Sequence, residues 1–364
     1  MKKILLGTTA VIALGTMSSE AFAAEKIKLE LGGFMRHYVG LTDSDEVAST
    51  NEALRDKDIS QFSNTEIYFT GSTTLDNGIK VAARVEMEAD GDQNKNVDRS
   101  WLTISSDAMG ALSIGNHPHF GDDNLVRVPN AGNFDWTDTD PWAGTATSAT
   151  TDTAGFTPSS LDISDGGGDS AKLKYTSPSF AGVTVGMSYS AFEDGDASNA
   201  RRVPGNGEDG YTFGAAYSGD LGGAAVSADV TRMNFGANNQ DVTHVGLNVG
   251  MAGFTVGGGY SDFNDTAAGS NVADGEAWEL GVSYATGPYS VSAAYMAAKD
   301  KNTVATTGDD KDTKWNIAAT YDMGAGVALA ANYFHSKADP EGSGTAANAA
   351  RTVSGLIAGI EVGF

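Results

Sequence analysis

The most constraining feature of this sequence is an alternation of apolar and polar residues with a period of two, repeated along most of the chain. Segment 79–88 shows it most clearly, because every odd position is apolar while Lys80, Arg84, Glu86 and Glu88 occupy even positions. Successive side chains of a strand point to opposite faces, so the pattern predicts strands with one apolar and one polar face. A chain of 364 residues is more than twice the ~150 typical of one domain, so a single domain requires a repetitive architecture.

Sixteen segments carry this alternation, and the lengths of their connections alternate as well. We predict strands at 27–40, 63–75, 78–89, 97–107, 110–116, 170–178, 182–192, 210–220, 223–234, 241–251, 253–263, 275–286, 288–298, 313–323, 326–336 and 352–364. Seven tight turns, such as Asp76-Asn77-Gly78, alternate with eight longer polar loops. Short turns on one rim and long loops on the other are typical of outer-membrane barrels. The predicted fold class is therefore all-β, a 16-stranded antiparallel transmembrane β-barrel.

The aromatic residues lie where two membrane interfaces would place them. Near the turn ends of the strands are Tyr217, Phe254, Tyr284, Tyr289, Tyr321 and Phe364. Near the loop ends are Tyr189, Trp278, Tyr295, Trp315 and Tyr333. These residues could instead form the core of a soluble sandwich, but a sandwich rarely needs sixteen matched strands. The distribution favours a barrel with two aromatic girdles.

Residues 1–23 have the organisation of a secretory signal peptide. Lys2 and Lys3 precede an apolar stretch at 4–15, and Ala21-Phe22-Ala23 forms a small-x-small cleavage site. The apolar stretch is too short to span a membrane as a helix. We therefore predict cleavage between Ala23 and Ala24, leaving residues 24–364 as the barrel domain.

Charge and composition exclude several classes of protein. The chain has 23 Lys and Arg residues against 47 Asp and Glu residues, a formal charge of -24, which disfavours any nucleic-acid partner. Removing Lys2, Lys3 and Glu20 with the signal peptide leaves 21 basic and 46 acidic residues, a charge of -25. The absence of cysteine excludes disulfides, thiolate metal sites and thiol nucleophiles. His117-Pro118-His119 lacks a third ligand at fixed spacing, so we expect neither a metal nor a cofactor.

The order of features resembles the general diffusion porins of Gram-negative outer membranes, particularly the glycine-rich, acidic porins of alphaproteobacterial type. The resemblance covers essentially the whole chain after the signal peptide. It rests on KLELGGFMR at 28–36, DNG at 76–78, GALSIG at 110–115 and VSGLIAGIEVGF at 353–364.

The resemblance implies a homotrimer in the outer membrane, surrounded by lipid and lipopolysaccharide, with a water-filled channel in each monomer. It also implies a long third loop, here 117–169, folded inward to narrow the channel. At 53 residues this loop is longer than expected for the family. The terminal Phe364, with alternate apolar residues before it, is the signal that such porins present to the barrel assembly machinery.

In such porins an acidic inward loop faces a basic patch of the barrel wall. Strand parity places four basic side chains on the face opposite the apolar residues: Arg36, Lys80, Arg84 and Arg99. The third loop supplies five acidic candidates: Asp122, Asp123, Asp135, Asp138 and Asp140. We predict these as the pore constriction, the alternative being solvated rim charges in no special arrangement.

The predicted function is passive diffusion of ions and small hydrophilic solutes with a preference for cations. A substrate-specific porin would be favoured by a column of aromatic residues on the lumen face, where Gly, Ala, Ser and Thr predominate in the sequence pattern. A barrel hydrolase is disfavoured because His37, His117, His119, His244 and His335 are scattered without a nucleophile motif. A surface adhesin is the remaining alternative, distinguished by whether the purified protein conducts ions.

Overall fold

The computed structural model describes residues 26–44, 59–89, 97–132, 134, 171–190, 209–235, 240–265, 275–301, 309–339 and 351–364. The predicted signal peptide, 1–23, and its cleavage site at Ala23 and Ala24 lie outside the described residues. Their assignment stays a prediction.

Within these ranges the chain forms sixteen strands and one short helix. The strands are β1 Lys28–Ser44, β2 Ile59–Thr74, β3 Lys80–Glu88, β4 Arg99–Ser106, β5 Gly110–Asn116, β6 Ala171–Thr176, β7 Val183–Ser190, β8 Gly210–Leu221, β9 Ala224–Phe235, β10 Gln240–Met251, β11 Phe254–Asp265, β12 Gly275–Thr286, β13 Tyr289–Lys301, β14 Asp309–Gly324, β15 Val327–Asp339 and β16 Arg351–Gly363. The helix, α1, spans Phe120–Asn124. No helix in the described part of the chain is long and apolar enough to cross a membrane.

Each strand pairs antiparallel with its neighbours in sequence, and β1 also pairs with β16, which closes the sheet into a barrel. The predicted 16-stranded barrel is thereby confirmed. Several strands continue beyond their predicted ends on the loop side. β14, for example, begins at Asp309 rather than 313, because its polar residues 309–312 still pair with β13. The change from apolar to polar residues marks only the end of the lipid-facing part of a strand. The hydrogen-bonded strand itself extends further.

The two faces of the barrel differ as the alternation predicts. On β7, for example, Val185 and Met187 are exposed on the outer face while Ser188 is buried on the inner face. Aromatic residues pair across neighbouring strands on the outer face, with ring centroids 4.4 to 5.5 Å apart: Phe254–Tyr284, Tyr289–Tyr321, Trp278–Tyr295 and Trp315–Tyr333. The first two pairs lie at the turn ends and the other two toward the loop ends, which matches the expected girdles.

The barrel closes where the last residue meets the first strand. The Gly33 N–H donates to the Phe364 carbonyl at 2.9 Å, and the Phe364 N–H donates to the Gly33 carbonyl at 3.1 Å. A Cβ at position 33 would clash with the Glu66 carbonyl and lie 3.1 Å from the Phe364 ring. Glycine at this position therefore lets three strands and a terminal ring come together.

The described start of the third loop, residues 117–132 with Phe134, lies inside the barrel. Phe120 of α1 is fully buried, and its ring occupies the space that side chains at Gly186 of β7 and Gly214 of β8 would need. Further along the loop, Val126 and Val128 lie against Gly246 and Gly281 in the same way. Glycines on the inner wall thus form the surface on which the loop lies, and its predicted inward path is confirmed for this part.

Candidate functional site

The inner wall holds the third loop through hydrogen bonds from side chains to loop backbone. Several N–H groups in the described part of the loop donate to wall oxygens, among them Val126 to Asp229 Oδ1 at 2.9 Å, Val128 to Glu279 Oε1 at 2.5 Å, and Ala131 to Ser292 Oγ at 2.9 Å. Two wall amides donate to loop carbonyls: Asn248 to Arg127 at 2.8 Å and Asn316 to Phe134 at 3.0 Å. Side chains on strands from β9 to β14 therefore hold the described part of the loop against the wall.

Apolar contacts strengthen the same attachment. Val128 packs into a buried cluster on β9 to β13 that includes Met233 and Phe263. Phe134 packs into a second cluster, with its ring 5.2 Å from that of Tyr38 on β1. Burying these side chains removes apolar surface from the wet lumen, which stabilises the loop against the wall.

Two lysines of β6 hold the root of the loop. Lys172 Nζ donates to the His117 carbonyl at 2.6 Å, and Lys174 Nζ donates to the Pro118 carbonyl at 2.8 Å. Lys174 also forms an ion pair with Asp123 of α1. These lysines escaped the sequence analysis, although their alternation with Leu173 marks them as facing the lumen. No sequence pattern indicates that the start of the loop lies against these two lysines.

The two histidines at the loop root have structural partners. His117 is fully buried, and burial together with the charge of Lys174 lowers its pKa from the ordinary 6.5 to about 4. The ring is therefore neutral at pH 7, and its Nδ1 lies 2.9 Å from the Pro118 carbonyl oxygen. His119 caps α1, since its Nδ1 accepts from the Asp122 N–H at 3.1 Å. Among the described residues, no three histidine or carboxylate side chains form a cluster able to hold a metal.

All four predicted wall cations lie on the inner face, and three of them form ion pairs with carboxylates. Glu86 is shared: its Oε1 accepts from Arg84 Nε at 2.6 Å, and its Oε2 lies 3.8 Å from Arg99 Nη1. Arg99 Nε also lies 3.6 Å from Asp98 Oδ2. Lys80 lies 3.9 Å from Asp107 at the turn that follows β4. The wall thus carries much less net positive charge than its basic residues alone suggest.

Aromatic rings lie among these cations, which the expectation of a lumen of small residues did not include. Arg36 Cζ is 4.0 Å from the Phe34 ring centroid, and Arg84 Cζ is 4.1 Å from that of Tyr68 and 5.7 Å from that of Trp101. The Phe34 and Tyr68 rings meet edge to face at 6.2 Å. The expectation is therefore wrong for β1 to β4, because strand parity puts these rings on the same face as the arginines.

The predicted loop aspartates divide into two groups. Asp122 and Asp123 lie in the first turn of α1, and Asp123 contacts Lys174 rather than one of the four predicted wall cations. Asp135, Asp138 and Asp140 lie outside the described residues, so their part in a constriction stays a prediction.

One histidine that looked isolated in sequence lies between a serine and an aspartate. His244 Nδ1 is 2.9 Å from Ser261 Oγ, and its Nε2 is 3.4 Å from Asp229 Oδ1. These residues come from β10, β11 and β9, so adjacent strands bring together the residue types of a catalytic triad. Val126 of the loop covers them, and His244 and Ser261 have no exposed surface. A substrate could not reach the serine, and the trio instead supports the loop.

A closed barrel with a charged lumen and an inward loop defines a channel protein of the outer membrane. Residues 8–340 match the family model described as Gram-negative porin, and the chain belongs to this family. It is accordingly an integral outer-membrane β-barrel that acts as a passive channel and not as an enzyme.

Solved structures with the same fold include porins of distant sequence. The anion-selective porin from Comamonas acidovorans is similar at 16% identity, with a TM-score of 0.61 over 93% of this chain and 100% of that one. A loop L8 deletion mutant of OmpT from Vibrio cholerae is similar at 13% identity and TM-score 0.61, with the same coverage. A triple mutant of Rhodopseudomonas blastica porin is similar at 20% identity and TM-score 0.54, again with that coverage. No curated protein matches the chain significantly.

The contact between loop and wall predicts different results at two inward glycines of β10. Gly246→Ala should push the loop into the lumen and lower single-channel conductance, because the new Cβ would collide with the Val126 carbonyl. Gly250→Ala is the matched control, since the nearest atom to its Cβ would be the Thr255 hydroxyl at 3.1 Å. Recordings in planar bilayers would test this. Equal conductance in the two variants would show that the loop does not depend on this contact.

Proposed function

We propose that this channel passes ions and small hydrophilic solutes by passive diffusion and prefers cations. The observation that carries the preference is the pairing of the wall cations with Glu86, Asp98 and Asp107. The chain as a whole has 24 more acidic than basic residues. Since charged residues are costly on the lipid face, the unpaired acids belong to the lumen and the loops, where they raise the local cation concentration.

The constriction in this proposal lies between the wall and the third loop. Arg36, Lys80, Arg84 and Arg99 form the basic side, and the acidic side consists of Asp122, Asp123, Asp135, Asp138 and Asp140. The inward position of α1 supports Asp122 and Asp123 in this role. Because the lumen is wet, each charge is screened, so the preference is modest and fades as salt rises above ~0.1 M.

Neutralising the basic side and neutralising the acidic side of the constriction should change ion selectivity in opposite directions. Arg84→Ala should increase the cation preference, because Glu86 then keeps only Arg99 as a partner. Asp122→Asn combined with Asp123→Asn should lower it by removing negative charge beside the ion path. Reversal potentials in a salt gradient measure both effects. An anion-selective wild type at low salt, or no response to either change, would contradict the assignment.

A substrate-specific porin is the second candidate, supported by the inward rings of Phe34, Tyr68 and Trp101. Arginines already lie against these rings, which leaves less ring surface for a solute and favours unspecific diffusion. In the same recordings, a specific solute would block the ion current at saturating concentration, whereas an unspecific channel would show no saturable block.

We also propose that the protein is a homotrimer that associates through the outer face of β1 and β2. His37, which is exposed, lies opposite Ser63 there, beside the exposed Met35 on the same face. Polar outward residues contact a second copy more favourably than lipid hydrocarbon. Unheated detergent samples should therefore migrate as trimers and become monomers on heating. A monomer mass by light scattering in unheated samples would contradict this. Lipid and lipopolysaccharide would contact the aromatic girdles elsewhere.

We further propose that Phe364 is the signal read by the barrel assembly machinery. Its backbone bonds to Gly33 do not depend on its side chain, and the ring is 59% exposed on the outer face. Phe364→Ala should therefore leave the assembled barrel nearly as stable in urea, while less protein reaches the outer membrane. Wild-type amounts of the variant in isolated outer membranes would refute the proposal.

A further inference from the structure

The guanidinium of Arg84 is held on several sides, unlike an ordinary arginine facing water. Its Cζ is 4.1 Å from the Tyr68 ring centroid and 5.7 Å from that of Trp101. Its Nε donates to Glu86 at 2.6 Å. The side chain is 24% exposed, so it faces the lumen but is largely covered.

Strand register creates this arrangement. Trp101 of β4 lies directly opposite Arg84 of β3, while Tyr68 of β2 lies opposite Glu86. Arg84 is therefore a direct neighbour of one ring and a diagonal neighbour of the other, both within reach of a long side chain. Cation–π attraction of this kind contributes more when the cation is partly desolvated, as it is here.

We propose that Tyr68 and Trp101 are positioning residues for channel selectivity, which hold the Arg84 guanidinium close to the lumen wall. An arginine without such partners samples many rotamers and extends its charge toward the centre of a wet channel. Held between two rings and a carboxylate, the charge stays at the periphery, where water and Glu86 screen it from a passing ion. This proposal rests on the proposed channel function, because it concerns how strongly the Arg84 charge affects the selectivity of that channel.

A comparison within the chain supports the role of the rings. Lys80 lies on the same face of the same strand, four residues before Arg84. Its ion pair with Asp107 is 3.9 Å long, and the Asp107 side chain is 74% exposed. An ion pair that exposed holds its cation only loosely. Arg84 thus differs from Lys80 in having two rings and a nearly buried carboxylate as partners, and it is held in place more firmly.

The test is a double-mutant cycle on the full chain, reconstituted in planar bilayers under a KCl gradient. Tyr68→Leu with Trp101→Leu should lower the cation-to-anion permeability ratio about twofold, because the freed guanidinium moves toward the ion path. Tyr68→Phe with Trp101→Phe should keep the wild-type ratio, since phenylalanine rings also attract the cation. In an Arg84→Ala background, the leucine substitutions should leave the ratio unchanged.

Each other outcome overturns the positioning role. If the leucine substitutions change the ratio equally with and without Arg84, the rings act through the shape of the wall. If they change nothing, the arginine does not need them. Heat-modifiable gel migration identifies any variant that fails to fold, and in that case Tyr68→Leu and Trp101→Leu are measured singly, each with a lower ratio expected than in the wild type and an unchanged ratio in both contradicting the proposal. The sign of the wild-type reversal potential tests the cation preference separately, because the cycle measures only differences among variants.

Discussion

The structure depends on one constraint: backbone groups in the hydrocarbon of a membrane have no water to bond, so each must find a partner within the protein. The chain satisfies it by pairing β1 with β16, which leaves the sheet without an edge. Because a strand has two faces, closure also fixes the side-chain arrangement. Apolar residues cover the outer face, and the polar alternates are enclosed in the lumen.

The polar groups enclosed in the lumen also need hydrogen-bond partners. The wall and the described part of the third loop supply some of these partners to each other. Loop backbone without a strand partner donates to Asp229, Glu279 and Ser292, and the same bonds give one oxygen of each of these inward-facing side chains a donor. Glycines allow the close approach that these bonds need, as at Gly246 and Gly281. The described part of the loop is therefore part of the lumen wall, and the charges on it have fixed neighbours on the strands, as Asp123 has in Lys174.

The features that could be predicted from the sequence are those that depend on a single strand. Period-two alternation indicated how many strands there are, and parity alone placed Arg36 and Arg84 on the lumen face. Contacts between strands depend on register, which a single strand does not reveal. His244 therefore looked isolated although register places it beside Ser261 and Asp229. The binding of the loop root by Lys172 and Lys174 was missed for a related reason, since 55 residues separate Lys172 from the carbonyl it binds.

Register also decides how much a charge in the lumen counts. Two unit charges 4 Å apart interact by about 1 kcal/mol in bulk water and about 4 kcal/mol near a protein surface. The interaction energy depends on both separation and surroundings, so moving a cation a short distance can change it as much as removing the cation. Glu86 pairs with two arginines because it lies opposite Arg99 and beside Arg84. A count of basic and acidic residues on the wall misses this sharing. Selectivity in such a channel therefore follows from which charges are held at the wall and which extend into the water, and neighbouring strands determine both.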